Sequence, residues 1–381
     1  MPWCVRKCPY CDFNSHALKA ARPDARYLDA LAEDLRLEVE SGALDGRSIA
    51  SVFFGGGTPS LFGPEDFSRL LEALRAHAPL AADAEITLEA NPGAVERGAF
   101  AAYRRAGINR VSLGAQSFDA KALAALGRIH SPEETRRAAE ELHAAGITNF
   151  NLDLMYGLPD QTRDGALADV RAAIALAPAH LSHYQLTLEP GTVFHARPPA
   201  LPDEETTWSM QLECQSLLAE AGYAQYEVSA YSRPGQRCRH NLNYWQFGDY
   251  LGIGAGAHGK LSARRPDRIL RTEKPRMPTA YLGAVTEAVA APPGSAPPGT
   301  RSAIALEELP FEYLLNALRL NEGFSAGDFQ ARTGLPVDVI AAALARAERR
   351  GLLAPPTADQ VTRPSDLGRR FLNDLLTLFL P

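Results

Sequence analysis

The sequence predicts an α/β protein: a closed or partial (β/α) barrel followed by a C-terminal helical, winged-helix-like domain. Two observations carry the barrel. β-rich runs at 51–54, 85–88, 110–113, 149–154, 181–186 and 225–228 alternate with helical patterns at 64–77, 94–105, 120–126, 132–145, 163–176 and 203–221. Strands alternating with helices require crossover connections and hence a parallel sheet. Nearly every run also ends in glycine or a polar side chain, as expected where strand ends build a site. The regular recurrence favours a barrel, with a doubly wound sheet as the other arrangement this pattern allows. A third observation carries the second domain. Beyond a Pro/Gly/Ala-rich stretch at 288–299, amphipathic helical patterns follow at 306–321, 325–333, 337–350 and 365–378, with a β-capable segment at 360–362. The expected organisation is a barrel over 1–262, a connecting segment over 263–300 and a helical domain over 301–381.

Composition removes several classes of function. The chain has 381 residues, with 39 Lys plus Arg against 45 Asp plus Glu and a net charge of −6. That balance offers no basic footprint for nucleic acid, and no nucleic-acid partner is expected. The apolar runs, such as 375–380, are too short to span a bilayer, and no signal-peptide pattern opens the chain. Five cysteines in a chain this long do not make a disulfide framework. The expectation is a cytoplasmic protein without a transmembrane segment.

The cysteines are unevenly placed. Cys4, Cys8 and Cys11 fall close together, whereas Cys214 and Cys238 are isolated. Offsets of four and seven could form an apolar helical stripe, but Pro9 interrupts that helix, and Arg6, Lys7 and Asp12 put charge beside the thiols. Metal ligation accounts better for the spacing. Zinc is one candidate, with His16 as a fourth ligand, and would make this a zinc-stabilised binding protein. An iron–sulfur cube held by three thiolates, with one iron left open, is the other; most such clusters take four cysteines and are closed.

The strand ends supply a polar rim. Gly55-Gly56-Gly57-Thr58 follows the first run, Glu89 the second, Gln116 the third and Asp153 the fourth, while Glu189-Pro190-Gly191 follows the fifth. Adjacent glycines can expose backbone N–H groups to a carboxylate or phosphate, and no Walker pattern follows them. A second constellation, Cys238-Arg239-His240-Asn241-Leu242-Asn243-Tyr244-Trp245, sets one imidazole beside two flat rings. Haem iron takes an axial histidine and a porphyrin face packs on aromatics, although a core histidine among aromatics has the same appearance. Gly252, Gly254 and Gly256, just before His258, suit a close backbone approach to a ligand or a tight turn.

Taken together, these residues resemble a family. Cys4-x3-Cys8-x2-Cys11 is similar to the cluster motif of radical S-adenosylmethionine (SAM) enzymes, and Gly55-Gly56-Gly57-Thr58-Pro59 to the element that holds the methionine part of SAM. The resemblance spans essentially the whole chain and lies with the branch containing oxygen-independent coproporphyrinogen III oxidase and its haem-chaperone relatives. It implies a partial barrel of radical SAM type and a [4Fe–4S] cluster on Cys4, Cys8 and Cys11. It also implies SAM contacts from Tyr10, Gly56, Gly57, Thr58, Glu89, Gln116, Arg128, Asp153, Thr187 and His258. The family's opening strand of the type Tyr-x-His-x-Pro is reduced here to Pro2-Trp3, so the first strand is expected to be missing.

Two features separate the sub-branches. The oxidase resembles Cys-x3-Cys-x2-Cys-x-Cys, whereas Phe13 stands at the last of those positions here. His240-Asn241-x-x-Tyr244-Trp245 resembles the chaperones' haem-binding motif, implying haem on His240, Asn241, Tyr244 and Trp245. The resemblance thus implies haem, a haem-acceptor protein and a low-potential electron donor such as flavodoxin or ferredoxin as partners. Turnover as a coproporphyrinogen III oxidase is the alternative.

Overall fold

The computed structural model describes residues 1–18, 25–93, 100–262, 268–355 and 360–381. The chain divides into two compact units, each with its own sheet. One comprises Met1–Glu33, Ser48–Gln225 and Ser229–Arg237, and the other Asp34–Arg47, Tyr226–Val228 and Cys238–Pro381.

The first unit is built on a parallel sheet. β1 (Trp3–Cys4) and β2 (His16–Ala17) form a short parallel pair flanking the cysteine loop. α1 (Ala25–Glu40) then leads to β3 (Ile49–Phe54). The sheet continues through β4 (Leu80–Ala90), β5 (Arg110–Gln116), β6 (Phe150–Tyr156) and β7 (His180–Gln185), all mutually parallel in chain order. α2 (Pro64–His77), α3 (Phe100–Ala106), α4 (Ala120–Ala125), α5 (Pro132–Ala144) and α6 (Arg163–Ala175) make the crossovers, and α7 (Val193–Ala196) and α8 (Glu204–Glu220) follow β7. β8 (Ala224–Gln225) and β9 (Ala230–Ser232) finish the sheet antiparallel, in the order β3-β4-β5-β6-β7-β9-β8. The first and last strands of that order do not pair with each other, so the barrel is partial.

Local chemistry sets the helix starts. Ser131 and Glu134 form a capping box ahead of α5, with Pro132 in its first turn. Thr162 caps α6 and Asp203 caps α8 through their side-chain oxygens. β5 is buried at every position, as expected for a parallel strand covered on both faces.

In the second unit, α9 (Arg239–Trp245) precedes an antiparallel sheet of β10 (His258–Ser262), β11 (Ile269–Glu273) and β12 (Thr300–Ala303). α10 (Pro278–Ala290) lies between β11 and β12. α11 (Leu309–Ala317), α12 (Ala326–Thr333), α13 (Ala341–Arg349), α14 (Asp366–Arg370) and α15 (Leu372–Thr377) follow. Phe247, Tyr313, Phe324 and Phe329 centre its apolar core, with Tyr313 ring to ring at 5.6, 5.4 and 5.2 Å from the three phenylalanines.

The structure departs from the sequence reading in several places. The expected strand at 225–228 is interrupted after Gln225: the sheet instead gains the antiparallel β9, whose Ala230–Ser232 pairs with both β7 and β8. The helix expected over 365–378 breaks at Phe371, where φ is −114° and ψ is 48°. The helix expected over 337–350 opens with a 3₁₀ turn, Val337–Ile340. Residues 263–300, expected as a connecting segment, hold β11 and α10 in their described part. Helix α1 was not anticipated, and of the helix expected over 94–105, residues 94–99 lie outside the described residues.

A buried charge cluster ties the second unit together. Lys274 Nζ, fully buried, donates to Asp34 at 2.6 Å, Glu38 at 2.7 Å and the Pro298 carbonyl at 2.9 Å. Tyr281 Oη donates to Asp34 at 2.9 Å, and Arg301 pairs with Glu38 at 2.5 Å. Burial nevertheless raises the Asp34 carboxyl above its ordinary range, against the opposing pull of Lys274. Removing one member of such a cluster leaves a buried charge uncompensated. Lys274→Met should therefore destabilise the protein by about 3–5 kcal/mol, read as a fall in the urea midpoint at unchanged m-value.

Candidate functional site

The cysteine loop is short and tightly seated. Cys4 is the last residue of β1, and the loop between β1 and β2 carries Cys8 and Cys11, all three half-buried. Each sulfur has a different polar neighbour. Thr58 Oγ1 donates to Cys4 Sγ at 3.5 Å, Arg128 Nη1 to Cys8 Sγ at 4.0 Å, and Cys11 Sγ lies 3.9 Å from Ser15 Oγ. Burial, with mutual repulsion among the thiols, pushes Cys4 and Cys11 up. They are neutral thiols unless a metal takes the charge.

Among the described residues, no three His, Cys, Asp or Glu side chains converge closely enough to hold one metal ion. His16, the fourth ligand of the zinc alternative, has its Nε2 3.2 Å from Asn14 Oδ1. Three thiols within eight residues, with no fourth cysteine near them in sequence, fit a polynuclear cluster in which each thiolate binds a different iron.

The glycines after β3 do a different job from the one their sequence suggests. Gly56 N–H donates to Glu89 Oε2 at 3.0 Å, Gly57 N–H to the Met1 carbonyl at 2.7 Å, and Thr58 N–H to the Trp3 carbonyl at 2.6 Å. These three N–H groups are thus used within the protein and not held open for an anion. What glycine supplies is closeness. A Cβ on Gly56, whose φ is +119°, would sit 2.8 Å from the Met1 carbonyl oxygen, and one on Gly57 would collide with the Trp3 carbonyl. The segment bearing Cys4 lies against the end of β3 because no side chain stands between them.

Around this loop the strand ends bring together most of the expected residues. Thr58 Oγ1 accepts from Asn91 Nδ2 at 3.1 Å. Asn91 also accepts from Arg128, whose Nη2 donates to the Gly114 carbonyl at 2.8 Å. Arg128 is set by Gly127, at φ +70°, where a Cβ would lie 2.8 Å from Pro9 of the cysteine loop. Burial alone would lower the Arg128 pKa, but Tyr10 and Cys8 beside it turn the shift upward and keep the guanidinium charged. Tyr10 packs near Phe194, with centroids 6.4 Å apart, and burial raises its phenol. Gln116 closes β5 with a left-handed φ of +67° and accepts from Tyr184 Oη at 2.8 Å. A non-glycine residue in that region is strained, and such strain clusters at functional positions.

Two carboxyl groups belong to the same set of strand residues. Burial, reinforced by the charge of Asp153, pushes Glu89 up to about 7. Asp153 is also raised by burial, against hydrogen bonds from Asn151 at 2.7 Å and Ser112 at 3.0 Å. β6 runs on to Tyr156, so Asp153 sits within the strand and not on the rim where the sequence reading placed it. Two half-buried carboxyl groups that each resist ionisation favour a ligand bearing an amino group or hydroxyl donors, and that chemistry fits the amino acid and ribose parts of SAM.

Thr187 and His258 are the remaining expected SAM residues. Thr187 is exposed just past β7, and His258 is an exposed residue of β10 in the second unit. Asn91, Ser112, Asn151, Ser182 and Tyr184 belong to the site's hydrogen-bond network but were not singled out as ligands. Asn91 had a signal, since it lies two residues after Glu89. The strand residues had none beyond being polar within β-rich runs.

The second constellation forms α9 in the second unit. His240 and Tyr244, one turn apart, meet edge to face at 4.6 Å, and Tyr244 meets Tyr250 at 4.6 Å. Asn241 Nδ2 donates to Tyr226 Oη at 3.5 Å, and the Arg319 guanidinium lies 4.3 Å over the Trp245 ring. His240, Asn241, Tyr244 and Trp245 are all half-buried. Cys238 just before the helix is buried, and Cys214 is a core residue of α8.

Two measurements test this geometry. Gly57→Ala should displace the Cys4 segment, so anaerobic reconstitution should incorporate much less iron than the parent at an unchanged circular dichroism spectrum. Glu89 should make the metal-free protein less stable as pH rises. Below its ordinary value of 4.5 the carboxyl is protonated in both states; between 4.5 and about 7 the folded chain keeps a proton that the unfolded chain releases. Glu89→Gln should match the parent at the acid end and exceed it by roughly 3 kcal/mol above neutrality, read from urea unfolding at several pH values.

Residues 1–173 match the model of the radical SAM superfamily, and residues 304–371 that of the HemN C-terminal domain. The chain is 50% identical to the haem chaperone HemW of Escherichia coli K12, with 100% of this chain and 96% of that protein covered. It is 43% identical to HemW of Haemophilus influenzae over the same shares. Among solved structures, the radical SAM enzyme coproporphyrinogen III oxidase (HemN) from E. coli superposes with a TM-score of 0.82 at 22% identity, covering 100% of this chain and 88% of that one, a likeness of fold. By whole-chain identity, this chain belongs to the HemW family of the radical SAM superfamily.

Proposed function

We propose that this protein is a cytoplasmic haem chaperone on a radical SAM scaffold, which binds haem, a [4Fe–4S] cluster and SAM and passes haem to an acceptor protein. The observation that carries the reading is the whole-chain 50% identity to a protein named a haem chaperone. Two features of the residues support it. Phe13, exposed, stands where the oxidase pattern has a fourth cysteine, and α9 gathers a histidine and two aromatic rings on one short helix. No described helix is long and apolar enough to cross a membrane.

Cys4, Cys8 and Cys11 would each hold one iron of the cluster. When bound and reduced, such a cluster supplies an electron to a sulfonium ligand, and a low-potential donor such as flavodoxin or ferredoxin would supply the cluster. The chain's own residues bind and orient. Thr58, Arg128 and Ser15 place a donor near the three sulfurs. Glu89 and Asp153 would take the amino and hydroxyl groups of SAM, Gln116 and Gly56–Thr58 would position its ends, and Tyr10 would cover the adenine and exclude water. Thr187 and His258 keep their proposed roles as outer SAM contacts. On α9, His240 would be the iron-side residue, with Asn241, Tyr244 and Trp245 around the ring.

The second reading, turnover of coproporphyrinogen III, is favoured by the fold likeness to the oxidase. Ferric haem titrated into the reconstituted protein should give a saturable absorbance change, weakened at least tenfold in His240→Ala. Incubation of the reduced protein with SAM and coproporphyrinogen III should yield no protoporphyrinogen. Haem binding indifferent to His240, or accumulation of that product, counts against the chaperone reading.

A further inference from the structure

Helix α9 has two differently furnished faces. His240 and Tyr244 occupy one. The other carries Trp245, and over its ring lies Arg319, which follows α11. Arg319 Nη2 is 3.3 Å from the Glu227 carboxylate, a long pairing that leaves the arginine side chain 30% exposed. Two donors at this spot have no acceptor among the described residues: Trp245 Nε1 and Arg319 Nε, both closed off from solvent. Folded proteins rarely leave one buried donor unsatisfied, and here two come from the same stacked pair. The exposed part of the guanidinium gives an anion a way in. The unsatisfied donors give it a reason to stay.

The axial spacing sets the length of a ligand that would join the two positions. His240 and Trp245 are five residues apart, about 7.5 Å along the helix axis. That is comparable to the half-width of a porphyrin, from its metal centre to the rim that bears its carboxylates. Resting on the haem reading above, we propose that Arg319, braced on Trp245, binds a propionate carboxylate of a porphyrin whose centre faces His240. A planar guanidinium matches a carboxylate with paired donors, and stacking on the indole restricts its orientation. Glu227 competes for the same group and holds it when no porphyrin is present.

The test compares ferric haem with ferric haem dimethyl ester, which has the same ring and iron but no propionate charge. The full-length parent should bind the free acid about tenfold more tightly than the ester. Arg319→Gln combined with Glu227→Gln removes both charges together, leaving no buried carboxylate unpaired. It should lower haem affinity about tenfold and abolish the preference for the acid. Glu227→Gln alone should tighten haem binding. Equal affinity of the parent for acid and ester, or a preference that survives in the double variant, overturns the assignment. His240→Ala separates the two levels. If it abolishes haem binding while the double variant behaves as the parent, only the role of Arg319 fails; if it binds haem as the parent does, the site reading fails and this assignment with it.

Discussion

The arrangement of the first unit depends on a backbone contact with no side chain in the way. Gly57 and Thr58 hold the Met1 and Trp3 carbonyls through their N–H groups, and glycine at 56 and 57 is what lets the two chain segments come that near. Cys4 is placed by that contact, and Thr58, at the end of the same turn, donates to its sulfur. One short stretch therefore determines where a thiol sits and what it is hydrogen-bonded to. Gly127 repeats the device on the other side of the loop, with Pro9 against it and Arg128 next in sequence reaching Cys8.

Charge burial is the second constraint. Glu89 and Asp153 are half-buried carboxyl groups that the fold raises above their ordinary range, Glu89 partly through the charge of Asp153. Neither helps an empty protein stay folded at neutral pH, which is the usual mark of groups kept for a ligand. The Lys274 cluster of the second unit is the contrasting case. There every carboxylate meets a cation at hydrogen-bond distance, and the group closes upon itself. Buried carboxylates paired with their own cations read as architecture; raised carboxyl groups held only by neutral donors read as a site.

The two faces of α9 differ as well. The Asn241–Tyr226 bond and the packing of Tyr244 between His240 and Tyr250 fix the helix on one side. On the other, Trp245 and Arg319 each contribute a donor without an acceptor among the described residues. A short helix with no fully buried residue gains little from its own backbone, so its position relies on such side-chain contacts.

Much was determined by the sequence alone, because the signals are local. Alternation of β-rich and helical runs marks the parallel sheet, and the helical patterns expected from 132 and 163 begin where α5 and α6 do. The cysteine spacing, the glycines, Glu89, Gln116 and the His240–Trp245 helix were likewise visible as motifs. Tertiary structure decided what those residues meet. That Gly57 serves the Trp3 backbone, that Arg128 links Asn91 to Cys8, and that Tyr184 holds Gln116 in its left-handed turn all join residues far apart in the chain. It also turned the final strand antiparallel and broke the last helix at Phe371. Spacing along a chain records local propensity, whereas long-range pairing, burial and the satisfaction of buried donors exist only once distant segments pack.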